Sequence, residues 1–158
     1  MVQLRLRKDQ RVDALRRVGL FSSCSVAELG RIAALATESS VRAGHLFTKR
    51  GQVGSEFFVI IDGKASASRK DVKLAALGPG SFFGELALLD GGKRTATVVA
   101  ETDMRVLVLT KQEFSSLCRS VPSVAINIMK ELGLRLRKTD ELVNPLPALS
   151  KSIGPWSL

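Results

Sequence analysis

Three short strand-like runs separated by turn residues lie within residues 56–77, whose sequence is EFFVIIDGKASASRKDVKLAAL. Including two later runs, the set is Phe57 to Ile61, Ala65 to Ser68, Val72 to Leu77, Arg94 to Ala100 and Val106 to Leu109. Nine of the 13 glycines fall between Gly44 and Gly92, in and around these runs. Many short strands punctuated by glycine turns predict a small antiparallel barrel or jelly roll over about residues 41–110.

A helical segment is predicted ahead of the strands, within residues 1–40. Residues 9–18 and 26–36 have the apolar spacing of short amphipathic helices. The second of these begins with Ser25 and Glu28 in capping-box spacing. The fold class expected is therefore mainly β with flanking helices, an antiparallel β-roll (jelly-roll-like) with N-terminal helices.

Two further helices are predicted after the strands, over residues 111–143. Thr110 and Glu113 repeat the capping-box spacing before the first, and a proline suits the first turn of a longer helix at 122–143. Six apolar residues recur on that helix at spacings of three, four and their sums: Ala125, Ile128, Met129, Leu132, Leu136 and Val143. Such a long C-terminal helix either packs on the barrel or pairs with its copy in a second chain, so a homodimer through this helix is one of two open expectations.

Length and composition favour one globular domain with appendages. The chain has 158 residues, of which 45% are hydrophobic, and no apolar run approaches the roughly 20 residues that cross a bilayer. Residues 1–8 have no apolar signal core, so we expect a cytoplasmic protein without a membrane partner. Cys24 and Cys118 form no CxxC motif and are expected as free thiols. Residues 144–158, with three prolines, are expected to form a poorly ordered tail.

The net charge of +9 invites a nucleic-acid hypothesis. Residues 1–17 hold six basic and two acidic side chains, a net +4, and the rest of the excess is dispersed. Tyrosine is absent and no aromatic residues alternate with basic ones, so the stacking platforms that bind single strands are poorly supplied. Nucleic acid therefore ranks last among the partners that we expect.

One stretch stands apart from the strand pattern, residues 83–98 with the sequence FGELALLDGGKRTATV. Gly84 permits tight backbone geometry, and the residues after it suit one helical turn with its amides toward an anion. Arg94 supplies a neutralising charge, and the small residues Thr95 and Ala96 let a phosphate approach backbone N–H groups. The stretch thus has the features of a phosphate cradle.

Glu85 contradicts a site for phosphate alone, because a carboxylate repels an anion. An ionised carboxylate only accepts hydrogen bonds, and it therefore suits a ribose hydroxyl. Phosphate and ribose together indicate a nucleotide, whereas no GxxxxGK[ST] or GxGxxG motif occurs in the chain. His45 is the only histidine, which argues against a metal-dependent cupin and against a catalytic triad.

These motifs give the chain a clear resemblance to a known family. From about Leu15 to Val143 it resembles the cyclic nucleotide-binding domain family, and most closely the sensor half of the cyclic-AMP receptor protein group. Residues 83–98 are similar to that family's phosphate-binding cassette, with its FGE opening and R-T-A close both present. Gly51 and Gly54, with the strand that follows them, are similar to the segment ahead of the cassette.

The resemblance implies a role for each candidate residue. Arg94 would bind an exocyclic oxygen of the cyclic phosphate, and Ala96 would bind the phosphate through its amide. Glu85 and the Gly84 backbone would bind the ribose 2′-hydroxyl. The remaining members of the implied ligand-binding set are Phe83, Leu86, Thr95 and Thr139, of which Thr95 contacts guanine in some members and Thr139 lies where base-contacting residues sit.

The function expected is that of a non-enzymatic sensor that binds a cyclic purine mononucleotide, cAMP ahead of cGMP, with no cofactor and no metal. It would lack an attached output domain and would act on an unknown protein effector. The alternative is a structural or protein-interaction module with a degenerate cyclic nucleotide pocket.

Overall fold

The computed structural model describes the backbone of residues 8–143, and the side chains in that range except those of residues 8, 9, 86 and 139–143. The helices are α1 Lys8–Arg16, α2 Val26–Leu35, α3 Glu85–Asp90, α4 Lys111–Ser120 and α5 Pro122–Val143, with a 3-10 turn at Gly19–Phe21. The strands are β1 Thr37–Val41, β2 Leu46–Thr48, β3 Glu56–Asp62, β4 Ala65–Arg69, β5 Val72–Leu77, β6 Phe82–Phe83, β7 Thr97–Ala100 and β8 Met104–Thr110.

The strands form two four-stranded sheets in which each described pair is antiparallel. One sheet has the order β1-β8-β3-β6 and the other has the order β2-β7-β4-β5. Alternating side chains of both sheets meet in a core whose buried members include Phe58, Ile60, Val98 and Val106. The antiparallel β-roll predicted from the glycine-punctuated runs is confirmed.

Two adjacent phenylalanines of β6 anchor opposite faces of their sheet, because successive side chains of a strand alternate. Phe83 enters the core and lies 4.8 Å from Phe58 and 5.4 Å from Phe47, measured between ring centroids. Phe82 lies on the other face, 5.7 Å from Phe57, which in turn lies 4.8 Å from a ring of α4. The strand that leads into the cassette is therefore held from both sides.

Both predicted capping boxes are present. The hydroxyl of Ser25 accepts a hydrogen bond from the Glu28 backbone N–H, and the Glu28 carboxylate accepts one from the Ser25 N–H. Thr110 and Glu113 form the same reciprocal pair at the start of α4. Each box satisfies two of the N–H groups that a helix start leaves without partners, so these two starts were predictable from local sequence.

The strand prediction is incomplete in three places and too long in one. β1, β2 and β6 were missed, and β1 places the first strand ahead of the predicted boundary at residue 41. β1 has the polar sequence TESSV and is held by its pairing with β8, and β6 has only two residues. Neither strand therefore has the alternation of apolar and polar residues by which a strand is predicted. The run from Arg94 becomes a strand only at Thr97, because the backbone of Arg94 bonds to a loop instead.

The α5 helix begins at Pro122 as predicted, and its residues from Ala125 onward form a unit of their own. Its predicted apolar stripe is divided, since Ile128 is buried whereas Met129 and Leu136 are 62% and 69% exposed. Among the described residues, no helix combines the length and the apolar character that crossing a bilayer requires. The predicted tail, residues 144–158, lies outside the described residues.

Candidate functional site: the cassette between β6 and β7

The cassette begins where β6 turns into α3 at Gly84. Gly84 has a φ of +95°, in the left-handed region that favours glycine, and it is the N-cap of α3. The helix runs from Glu85 to Asp90 and ends on Gly91, whose φ is +66°. The predicted helical turn after Gly84 is confirmed, and Glu85 is its first residue.

The Arg94 side chain turns inward from the end of the cassette, and Arg94 is only 8% exposed. One terminal nitrogen donates to the Gly84 carbonyl at 3.0 Å, and the other donates to the Glu56 carbonyl at 2.7 Å. The guanidinium carbon also lies 5.9 Å from the centroid of the Phe58 ring. The guanidinium thus connects the start of the cassette to the start of β3.

The backbone of Arg94 is held by the loop ahead of β3. Its N–H donates to the Gln52 carbonyl at 2.7 Å, and its carbonyl accepts from the Gly51 N–H at 2.9 Å. An isolated bridge between Val53 and Lys93 adds to this pairing. The position of Arg94 is consequently set by residues about 40 positions earlier in the sequence.

Burial and two nearby carboxylates have opposite effects on the charge of Arg94. Burial lowers the pKa of the Arg94 guanidinium below its ordinary value, and the carboxylates of Glu56 and Glu85 offset part of that effect. Glu85 itself is 3% exposed. The site therefore holds a buried cation that can pair with an anion and a buried carboxylate that can accept a hydrogen bond from a hydroxyl.

The far end of the cassette is held by two side chains that the sequence analysis missed. The Thr48 hydroxyl donates to the Ala96 carbonyl at 3.0 Å, and the Arg69 Nε donates to the Thr95 carbonyl at 3.2 Å. Thr48 is on β2 and Arg69 ends β4, so both contacts are long-range in sequence. Nothing local to either residue signals these contacts.

Seven of the eight predicted ligand-binding residues lie within the cassette, and the structure gives those whose side chains it describes different degrees of burial. Phe83 is buried in the core, Glu85 and Arg94 are buried, Gly84 and Ala96 are half-buried, and Thr95 is exposed. Leu86 and Thr139 lie on α3 and α5, and their side chains fall outside the described residues.

Comparison with known proteins identifies the family. The family model of the cyclic nucleotide-binding domain matches residues 38–121, which include the roll and the cassette. The cyclic AMP receptor protein of Thermus thermophilus is 38% identical over 96 residues, which cover 58% of this chain and 44% of that protein. A cAMP-dependent protein kinase regulatory subunit of Aspergillus fumigatus is 37% identical over 112 residues, 70% of this chain and 27% of that protein.

A solved structure gives the same result for the fold. The crystal structure of the Thermus thermophilus catabolite activator protein superposes with a TM-score of 0.74 at 30% identity, covering 80% of this chain and 62% of that one. The chain belongs to the cyclic nucleotide-binding domain family, as its resemblance to that family predicted. It is a regulatory cyclic nucleotide-binding domain similar to those of cyclic-AMP receptor proteins and kinase regulatory subunits, and it spans less than half the length of these two relatives.

Proposed function

We propose that this domain is a non-enzymatic sensor that binds cyclic AMP at the cassette. One observation carries the proposal: among the described residues, the polar or charged residues that are buried are Thr48, Glu85 and Arg94. All three belong to the cassette or bond to it. Burying a charge is costly, and a short segment that holds two buried charges, Glu85 and Arg94, is typical of a binding site.

The chemistry of the ligand matches the two buried charges. A cyclic mononucleotide has one negative charge on its phosphate and one free ribose hydroxyl. Arg94 supplies the cation for the phosphate, and Glu85 supplies an acceptor for the hydroxyl. The small side chain of Ala96 lets the phosphate approach its amide.

The choice of cAMP over cGMP rests on the relatives. One of them is named a cyclic AMP receptor protein and another is named a cAMP-dependent kinase regulatory subunit. Thr95 is exposed at the end of the cassette and is available to a guanine amino group. Cyclic GMP is therefore the second ligand to test.

Isothermal titration calorimetry with cAMP and with cGMP tests the proposal. Arg94→Ala leaves the phosphate charge desolvated and unpaired, at a cost of about 2–5 kcal/mol. This corresponds to roughly 30-fold to several thousand-fold weaker binding. Lys93→Ala is the matched control, because it removes the same charge from the exposed neighbouring position. Unchanged affinity in Arg94→Ala, or an equal loss in Lys93→Ala, would refute the assignment.

A second candidate function has an observation in its favour. The Arg94 guanidinium already donates to two backbone carbonyls, so it can act as a structural cross-link in a domain whose pocket is degenerate. Such a domain would serve in protein interaction. This second function predicts no heat of binding with either nucleotide and a lower unfolding free energy in Arg94→Ala.

We infer that occupancy is reported through α5, whose last residues include Thr139. A ligand shifts an equilibrium only if it favours one of two states of an element. Ordering of residues 135–143 over the ligand predicts slower amide exchange there on saturation with cAMP, and unchanged exchange would contradict this route.

We also propose that α5 pairs with its copy in a homodimer. Four large apolar side chains of this helix are exposed by 47–69%, namely Ile126, Met129, Leu134 and Leu136. Sedimentation analysis should give a dimer that dissociates when Met129 and Leu136 are replaced by Glu, and a wild-type monomer at high concentration would contradict the proposal.

A further inference from the structure

Gly54 lies against the Arg94 guanidinium, on the loop that precedes β3. A Cβ atom built on Gly54 would be 2.5 Å from the Arg94 Nε and 2.7 Å from its Cζ. The same atom would be 2.7 Å from the Ala87 Cβ on α3. Protein interiors are close-packed, so a side chain at position 54 must displace both of these neighbours. The Arg94 side chain can turn away, whereas Ala87 has no side-chain rotamer to change and yields only if the backbone of α3 or of the loop shifts.

The backbone does not explain a glycine at this position. Gly54 is not among the glycines with positive φ, so an L-residue could adopt its backbone conformation. Gly84 is different, because its φ is +95° and its Cβ would also lie 2.7 Å from an Arg94 terminal nitrogen. The two glycines therefore clear space for the same guanidinium. Gly84 is also favoured by its backbone conformation, whereas Gly54 is explained by the space that Arg94 and Ala87 occupy.

We propose that Gly54 is a positioning residue that sets how deeply the Arg94 guanidinium lies in the cassette and, through it, the affinity for the anionic ligand. An alanine at position 54 would push Nε outward until it reaches ordinary contact distance. The terminal nitrogens would then lose their alignment with the Gly84 and Glu56 carbonyls. Charge-assisted hydrogen bonds to a phosphate depend on the same alignment. The effect on affinity rests on the proposed function, whereas the effect on Arg94 does not.

The first experiment needs no ligand. In Gly54→Ala, the Arg94 Nε–Hε resonance should shift and its hydrogen should exchange faster than in the wild type. Gly78→Ala is the matched control, because Gly78 also lacks positive φ and a Cβ there meets nothing within 4 Å. In urea titrations, the stability losses of Gly54→Ala and Arg94→Ala should be less than additive when combined. An unchanged Nε resonance together with additive losses would overturn the proposal.

A second variant distinguishes displacement of the Arg94 side chain from a general packing defect. Ala87→Gly in the Gly54→Ala background removes the clash with α3 and leaves the clash with Arg94. Glycine in a helix costs about 1 kcal/mol by itself, so Ala87→Gly alone is the reference. Gly54→Ala should cost less stability in that background than in the wild type but should keep the altered Nε signal. Full recovery of that signal would mean that Gly54 serves helix packing and not Arg94.

The ligand experiment uses calorimetry with cAMP. Gly54→Ala should bind roughly tenfold to a hundredfold more weakly, the effect expected when one hydrogen bond to a charged group is lost. The same substitution should have little further effect in the Arg94→Lys background, and Gly78→Ala should bind as the wild type does. Wild-type affinity in Gly54→Ala would overturn the proposal. If the wild type binds no cyclic nucleotide, the proposed function fails, and the ligand-free measurements still decide the role of Gly54.

Discussion

Replacing Glu85 by Gln tests whether the buried carboxylate binds the ribose. Glu85 is 3% exposed at the first position of α3, so a hydrogen bond from the 2′-hydroxyl would be shielded from water. A hydrogen bond to a charged group is worth about 1.5–3 kcal/mol. A charge-assisted bond is roughly twice as strong as a neutral one, so Gln should lose about half of this energy. The expected loss for cAMP is about 3-fold to 12-fold in affinity.

The competing explanation is that Glu85 merely stabilises the start of α3. A carboxylate in the first turn interacts favourably with the helix dipole, by about 0.3–1 kcal/mol. That effect would change the unfolding free energy, and it would alter the affinity for any ligand of the cassette by the same factor. A ligand without the hydroxyl therefore separates the two explanations.

The assay is a cycle of two proteins and two ligands, measured by calorimetry. Wild type and Glu85→Gln are each titrated with cAMP and with 2′-deoxy cyclic AMP. If Glu85 accepts the 2′-hydroxyl, the substitution weakens binding of cAMP but hardly changes binding of the deoxy ligand. An equal loss with both ligands would refute the ribose assignment and leave Glu85 with a helix-stabilising role. Urea titration of both proteins measures the contribution to folding.

Three further measurements test the structure. Gly84→Ala and Gly44→Ala each place an alanine in the left-handed region, at a cost of about 1–2 kcal/mol. Only at Gly84 would a Cβ also meet the Glu56 carbonyl, at 2.8 Å. Gly84→Ala should therefore lower the unfolding free energy by about 1–3 kcal/mol more than Gly44→Ala does, and equal losses in urea titrations would contradict this. A Cβ at Gly133 meets nothing within 4 Å among the described atoms. Because alanine favours a helix more than glycine does, Gly133→Ala should stabilise the isolated chain by about 1 kcal/mol in thermal unfolding. Destabilisation of the monomer would mean that the space around position 133 is not open. Burial raises the pKa of the Cys24 and Cys118 thiols. The unfolded thiols therefore lose their protons first, and the unfolding free energy should fall as pH rises above about 8.5, the pKa of an unfolded thiol. In a double Cys→Ala variant the unfolding free energy should depend less on pH, and an unchanged dependence would contradict the role of the two thiols.

Local patterns in the sequence determined the elements that depend on local forces. The two capping boxes, at Ser25 and Thr110, involve side chains three residues apart and were predicted correctly. The run Val72 to Leu77 was predicted with the boundaries it has as β5, because β-branched and apolar residues there follow a turn. The positive φ of Gly84 likewise fits a turn between a strand and a helix.

The tertiary structure decided the elements that depend on distant partners. The polar strand β1 exists because β8 pairs with it, and no period of its own marks it as a strand. The cassette motif identified Arg94, but only the fold brings its guanidinium to the carbonyls of Glu56 and Gly84. The reason that position 54 is a glycine likewise becomes visible only in three dimensions, because a side chain 40 residues later occupies the space that a Cβ would need. Backbone propensity acts over a few residues, whereas excluded volume and hydrogen bonding act between whatever groups the fold brings together.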